Sequence, residues 1–123
     1  MDTNILTNNG IDINVGLELL GDMDMYNETL NDFLEESKTR IPNIKKYFNE
    51  GDMPNYAILV HAMKSDSKYL GFMHLAELSY NHEMASKENN IEYVTNNIEE
   101  LLNEADRIIS VVQEYLGIKE GVA

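Results

Sequence analysis

The chain has 123 residues, of which 43% are hydrophobic and 25% are charged, and these proportions are typical of a single globular domain. Its net charge of −13 disfavours binding to nucleic acids and to anionic membranes, because both carry negative charge. The absence of cysteine excludes disulfide bonds and thiolate metal sites.

The N-terminal part predicts a loose segment followed by a short helix. Residues 1–10 are polar and end in a glycine that follows two asparagines, so we expect a flexible arm. Asn14 is a suitable N-cap for a short helix over residues 15–20, which Gly21 is expected to end.

A long helix is expected to begin after Asp22, which can serve as its N-cap, and to end at Gly51. Pro42 lies inside the helical pattern and predicts a kink or a division, because proline removes a backbone donor and crowds the preceding turn. The apolar residues of this segment recur at helical spacing, and they are Tyr26, Leu30, Phe33, Leu34, Ile41, Ile44 and Phe48.

Three more helices are expected in the rest of the chain. Asp52 can cap the first of them, which should end near Lys68, with the break at Gly71. The second runs over residues 72–87, and the third begins near Ile91 and follows a continuous apolar stripe to Leu116. Residues 118–123 then form a flexible tail.

These elements predict an all-α domain that occupies the whole chain, residues 1–123. Four long amphipathic helices with short connections are typical of an antiparallel up-down four-helix bundle, and the short first helix should lie across one end. No apolar run is long enough to span a bilayer, and no secretory signal is visible at the N-terminus. We therefore expect a monomeric cytoplasmic protein.

His61 lies on the side of its helix that should face water. When the residues are placed 100° apart, one side is mostly apolar and consists of Tyr56, Leu59, Val60, Met63, Ser67 and Leu70. The opposite side holds His61 together with Ala57, Ile58, Lys64, Ser65 and Lys68. The pattern therefore predicts an exposed histidine with a cation one turn away.

The turn near Gly71 predicts a partner for this histidine. Helices on the two sides of a tight turn run antiparallel, so residues equidistant from the centre of the turn are neighbours. With that centre near residue 72, His61 pairs with Glu83. Glu83 also falls on the inward stripe of its own helix, where an unpaired carboxylate is costly. We hypothesise that Glu83 accepts a hydrogen bond from His61 Nδ1, which leaves Nε2 unprotonated and outward, as nucleophilic catalysis requires. The alternative is that Glu83 lies at a half-exposed helix end and is merely solvated.

Lys64 and Ser65 suit a phosphoryl group that arrives at His61 Nε2. Lys64 lies one turn away and can stabilise developing negative charge. Ser65 is small, so it should not block an approaching partner. The alternative for both residues is an ordinary solvated helix face.

Together these residues resemble the histidine-containing phosphotransfer domain of bacterial two-component phosphorelays. After the histidine, that family has a leucine-like residue, a lysine, a glycine, a serine and a second glycine, and this chain has Met63, Lys64, Ser65, Ser67 and Gly71. Ser65 thus replaces the first glycine, and because serine is small, access to His61 should survive.

The resemblance implies a function and a set of partners. Such domains are phosphoryl carriers that receive the group from a sensor histidine kinase or a receiver-domain aspartate and pass it to a response-regulator receiver domain. They have no ATP site, and no GxxxxGK[ST] loop occurs in this chain. The divalent metal belongs to the receiver, so we expect no cofactor and no metal here. In several members a polar residue at the position of Glu83 contacts the imidazole.

A partner-binding surface is expected around His61. Ala57 and Ile58 precede it on the same face, and Ser65 and Lys68 follow it. We interpret these residues as a small docking patch, as is usual for transient signalling contacts. Further contributions are expected from Val15 and Leu19 and from Met23 or Met25.

Other interpretations of the histidines stay open. His74 and His82, with Glu77 or Glu83, suggest a metal site of the kind that helical bundles build, although no inward histidine from another helix completes it. The alternative function is a helical interaction module of the same fold that works without phosphorylation, or one in which His61 is incidental.

Overall fold

The computed structural model describes residues 1–118, and over that range the chain forms six helices and no strand. The helices are α1 (Thr3–Thr7), α2 (Ile13–Leu20), α3 (Met23–Glu50), α4 (Met53–Leu70), α5 (Met73–Lys87) and α6 (Ile91–Leu116). Each of α3 to α5 packs against the next helix in the chain, and α6 returns to contact α3, which closes a four-helix bundle. The predicted all-α class is confirmed.

Side-chain caps fix the starts of the long helices. Asp22 accepts a hydrogen bond from the backbone N–H of Met25 at 2.8 Å, and Asp52 accepts one from Asn55 at 3.2 Å. These carboxylates satisfy backbone donors that the first helical turn leaves without partners, as the sequence predicts for both residues. The predicted N-cap of α2, Asn14, is wrong, because Asp12 occupies that position.

Of the two outcomes predicted at Pro42, a kink or a division of the long helix, the division is wrong. α3 continues across the proline as one element, and the ring of Pro42 faces solvent. Ile41 and Ile44 flank it and are buried in the core. Burial on both sides of the proline holds the two halves in one helix despite the missing backbone donor.

The expected loose arm over residues 1–10 is also corrected. These residues include α1, whose Leu6 is completely buried, and Ile11 behind it is buried as well. The guanidinium of Arg107 on α6 donates a hydrogen bond to the carbonyl of Asn9 at 3.1 Å. Burial of these two aliphatic side chains fixes the segment against the bundle.

At the other end, Ile118 packs against the core, and the rest of the expected tail, residues 119–123, lies outside the described residues. None of the helices formed by residues 1–118 combines the length and the apolar character needed to cross a membrane.

The turn between α4 and α5 is held from three directions. Gly71 ends α4 in the left-handed conformation with φ of +84°, and its carbonyl accepts a hydrogen bond from the N–H of Asp12 at 3.0 Å. The hydroxyl of Tyr26 donates to the carbonyl of Leu70 at 2.7 Å. Phe72 is buried against Phe33 with ring centroids 5.1 Å apart. These contacts set the register of α4 against α5.

Candidate functional site

His61 projects from the middle of α4 into solvent, and 55% of its side-chain surface is exposed. The opposite face of the same helix is in the core, where Tyr56, Val60 and Met63 are buried. Because that apolar face fixes the rotation of α4, His61 has to point outward. The sequence predicted this arrangement, and it is confirmed.

Glu83 on α5 lies beside His61, at the boundary between the core and the surface. Its side chain is only 2% exposed, and its Oε2 lies 2.7 Å from His61 Nδ1. A carboxylate can only accept hydrogen bonds, so Nδ1 carries the proton and donates it. In the neutral imidazole, Nε2 then keeps a free lone pair on the exposed side. The predicted contact is confirmed, and the solvated alternative for Glu83 is wrong.

Two lysines complete the cluster around this carboxylate. Lys64 Nζ lies 2.6 Å from Glu83 Oε1, and Lys87 Nζ lies 2.6 Å from Oε2. The Lys64 contact is an ion pair rather than a well-aligned hydrogen bond. Only 15% of the Lys64 side chain is exposed, and its ammonium also lies 5.6 Å from the ring centre of Tyr80. The solvated helix face considered for Lys64 is therefore wrong.

Lys87 is a site residue that the sequence analysis missed. The available signal was its position four residues after Glu83, where side chains on a helix are neighbours. Lys87 is important because Glu83 is buried, and a carboxylate shielded from water needs nearby cations to compensate its charge.

The cluster keeps Glu83 ionised. Burial opposes ionisation, but the contacts with Lys64, Lys87 and His61 outweigh it and lower the pKa of Glu83 to about 2. One carboxylate therefore faces two ammonium groups, and the surroundings of the imidazole carry an excess of positive charge. This is notable in a chain whose net charge is −13.

Two shallow grooves flank His61. The Ile58 groove is lined by Pro54, Ala57, Ile58, His61, Ser86 and Lys87. The Leu19 groove, on the other side, is lined by Leu19, His61, Lys64, Ser65, Lys68 and Tyr69. An imidazole between two partly apolar grooves is accessible to a macromolecular partner as well as to a small molecule.

A model of the Hpt domain family matches residues 28–111, a range that includes His61, Lys64, Glu83 and Lys87. The chain belongs to the Hpt domain family. Membership of this family implies histidine phosphotransfer within two-component phosphorelays, by carriers that interact with kinases and response regulators. Comparisons with curated proteins and with solved structures found no match.

The Hpt domain presents only part of the expected docking patch. Ile58 is 63% exposed and Leu19 58% exposed, and Lys68 also faces solvent. Ser65 is half-buried at the edge of the Leu19 groove. Ala57 is only 6% exposed where it lines the Ile58 groove together with Ser86 and Lys87 of α5, and its predicted exposure is wrong.

The remaining residues suggested for the patch lie elsewhere. Val15 and Met23 are half-buried and Met25 is 46% exposed, and the residues that line the two grooves do not include any of them.

The other two histidines of the Hpt domain have different surroundings. His74 is exposed on α5, whereas His82 is 1% exposed. His82 Nδ1 lies 2.9 Å from the hydroxyl of Tyr56, and Nε2 lies 3.1 Å from the carbonyl of Asn97. A carbonyl only accepts, so Nε2 donates, and Nδ1 accepts from the hydroxyl.

Both nitrogens of His82 are thus engaged with protein groups, which removes the inward histidine from the proposed metal site. Burial also lowers the pKa of His82 and keeps the ring neutral. Within residues 1–118, no cluster of three or more histidine, aspartate or glutamate side chains is placed to hold a metal ion.

Proposed function

We propose that this Hpt domain accepts a phosphoryl group on His61 Nε2, from a sensor histidine kinase or a receiver-domain aspartate, and passes it to a response-regulator receiver domain. The observation that supports this most directly is the hydrogen bond from Nδ1 to the buried Glu83, which leaves Nε2 exposed with a free lone pair. An oriented nucleophile with a supporting carboxylate is the arrangement that nucleophilic catalysis needs.

Transfer from a receiver aspartate exchanges one bond to phosphorus for another. The Nε2 lone pair attacks phosphorus, a P–N bond forms, the P–O bond to the aspartate breaks, and the carboxylate leaves with the electron pair. Nε2 carries no proton in this tautomer, so none has to be removed before attack. Glu83 orients the ring, and the excess positive charge from Lys64 and Lys87 favours the arriving phosphoryl group.

The partner surface is proposed to comprise the Ile58 groove and the Leu19 groove. Ile58 provides an exposed aliphatic anchor beside His61, and Ser65 leaves room on the other side. Lys68 and Lys87 at the edges suit a receiver whose phosphorylated aspartate lies in an acidic pocket. We further propose that the divalent metal for transfer resides on the receiver, and that this protein is a monomeric bacterial carrier in the cytoplasm.

The test is transfer of labelled phosphoryl from a phosphorylated receiver domain to the protein. Acid-labile, base-stable label is expected on the wild type and none on His61→Gln. His74→Gln is the matched control, since His74 is also exposed but lies away from the Glu83 cluster. Equal labelling of wild type and His61→Gln contradicts the proposal.

A further inference from the structure

We infer that Glu83 retains the Nδ1 proton on phosphorylated His61, so that the phosphoryl group is carried on a cationic ring and leaves readily. The inference rests on the proposed function, because it requires that Nε2 is the phosphorylated atom. It goes further by assigning a property to the phosphorylated state: this chain is built to pass the phosphoryl group on rather than to store it.

The chemistry follows from the tautomer. Attack by Nε2 while Nδ1 carries a proton gives a ring in which both nitrogens are substituted, and this ring bears a positive charge. When the P–N bond of that ring breaks, its electron pair returns to Nε2 and the leaving group is neutral imidazole. If Nδ1 has lost its proton, the leaving group is the imidazolate anion, which leaves far more slowly.

The structure supplies what is needed to hold that proton. Glu83 Oε2 lies 2.7 Å from Nδ1, and the carboxylate is shielded from water at 2% exposure. A carboxylate in direct contact favours the charged form of a neighbouring base, whereas a neutral amide would accept the same hydrogen bond without that charge. Lys64 and Lys87 keep the pKa of Glu83 at about 2, so the acceptor stays ionised near neutral pH.

The charged side chains that line the two grooves beside His61 are all lysines. α4 contributes Lys64 and Lys68 to the grooves beside His61, and α5 contributes Lys87. α2 contributes the apolar Leu19, and none of the described groove residues comes from α3. The positive charge of the lysines alone would disfavour a protonated ring. However, Lys64 and Lys87 are paired with Glu83, and it is the carboxylate oxygen of Glu83 that contacts Nδ1. The carboxylate therefore decides the state of Nδ1.

The experiment uses the 123-residue chain phosphorylated with phosphoramidate, a small donor that needs no partner. Loss of phosphoryl is followed between pH 5 and pH 9 for wild type, Glu83→Gln and Glu77→Gln. We expect Glu83→Gln to hold the phosphoryl group about tenfold longer near pH 7.5, because the hydrogen bond to a charged acceptor that holds the Nδ1 proton is lost. Its hydrolysis profile should move to lower pH. Glu77→Gln, an exposed neutralisation on the same helix, should match wild type.

A double variant separates the ring proton from a simpler cause. In Glu83→Gln, the freed lysines would also hold the phosphoryl group and lengthen its lifetime. The double variant Glu83→Gln/Lys87→Gln removes one negative and one positive charge, so the net charge of the cluster is the same as in the wild type. A long lifetime that persists in the double variant supports the inference, and a return to the wild-type lifetime overturns it.

A measurement on the wild type covers the case in which the variants do not fold. A proton directly bonded to Nδ1 of phosphorylated His61 should be visible by ¹H–¹⁵N NMR at pH 8, and its absence overturns the inference. No phosphorylation of His61 by phosphoramidate or by a receiver would instead contradict the proposed function. A labelled protein whose hydrolysis profile is unchanged in Glu83→Gln overturns the inference alone.

Discussion

His61 and Glu83 are 22 residues apart in the chain, and a 2.7 Å contact joins their side chains across the α4–α5 hairpin. The two residues differ sharply in exposure, at 55% for the histidine side chain and 2% for the glutamate. The pair therefore lies across the protein surface, with the nucleophilic Nε2 of His61 exposed to water and the supporting carboxylate of Glu83 buried. Such an arrangement fixes the imidazole without covering the reacting nitrogen.

Replacing Glu83 with alanine is expected to slow phosphoryl transfer to and from a receiver by about 10- to 100-fold. The variant loses the hydrogen bond that orients His61, and bonds to charged groups contribute about 1.5–3 kcal/mol. The bundle should remain folded, because the cations released are Lys87, which is exposed, and Lys64, which can turn toward solvent. Rapid-mixing transfer assays measure the rate, and circular dichroism reports the fold.

Glu77→Ala is the control for that experiment, since Glu77 is exposed on the same helix. It should transfer at the wild-type rate. If Glu83→Ala also transfers at the wild-type rate while remaining folded, the carboxylate has a structural role only.

The pairing of His61 with Glu83 could be predicted from sequence because it depends on regular geometry. A tight turn at Gly71 and two helical periodicities determine which residues face one another, and both signals are local. Lys87 and the buried state of Lys64 were not predictable in the same way. A lysine's long side chain can lie along the helix or toward solvent, and only the burial of Glu83 decides between these.

The errors in the predicted fold also have physical causes. Residues 1–10 contain few large apolar side chains, so their helix becomes apparent only once α6 offers a surface that buries Leu6. Pro42 is tolerated inside α3 because tertiary packing of Ile41 and Ile44 outweighs the lost backbone hydrogen bond. Ala57 was placed on the exposed face by an ideal projection, which ignores how closely α5 approaches α4.

Ile58→Asp is expected to weaken partner docking while leaving the fold intact. Ile58 is 63% exposed, so the stability change should stay within about 0.5 kcal/mol. A charge in the Ile58 groove should lower the rate of transfer from a receiver by about tenfold or more, since an exposed apolar anchor is lost. Phosphorylation by phosphoramidate, which needs no docking, should be unchanged.

Ile91→Asp is the matched control for the docking experiment, because Ile91 is also exposed but begins α6 outside both grooves. Receiver-dependent transfer should be unaffected in this variant. Equal loss in both variants would show that added negative charge, rather than the groove, is responsible.

His82 is expected to make the protein less stable as the pH falls below neutrality. Burial lowers its pKa from the ordinary value of 6.5, so the unfolded chain binds the proton more readily than the folded chain. The contribution to stability is present above pH 6.5 and is lost as the pH falls toward the lowered folded pKa. Urea unfolding at pH 7.5, 6.0 and 5.0 should show this slope. His82→Gln should reduce it and His74→Gln should keep it, and an equal slope in all three proteins contradicts the assignment.

Gly71→Ala is expected to destabilise the domain by about 2–5 kcal/mol, through left-handed strain and a steric clash. Gly71 has φ of +84°, and an added Cβ would collide with the carbonyl oxygen of Asp12 and lie 2.6 Å from its carbonyl carbon. Gly51 also has a positive φ, of +69°, but no atom lies near its added Cβ, so Gly51→Ala should cost only about 1–2 kcal/mol. Denaturant unfolding of the two variants therefore separates strain from clash, and equal losses of stability in both variants would show that the Asp12 contact contributes nothing.

Because the Gly71 turn sets the register of His61 against Glu83, phosphoryl transfer should also fall in Gly71→Ala, even where the protein stays folded.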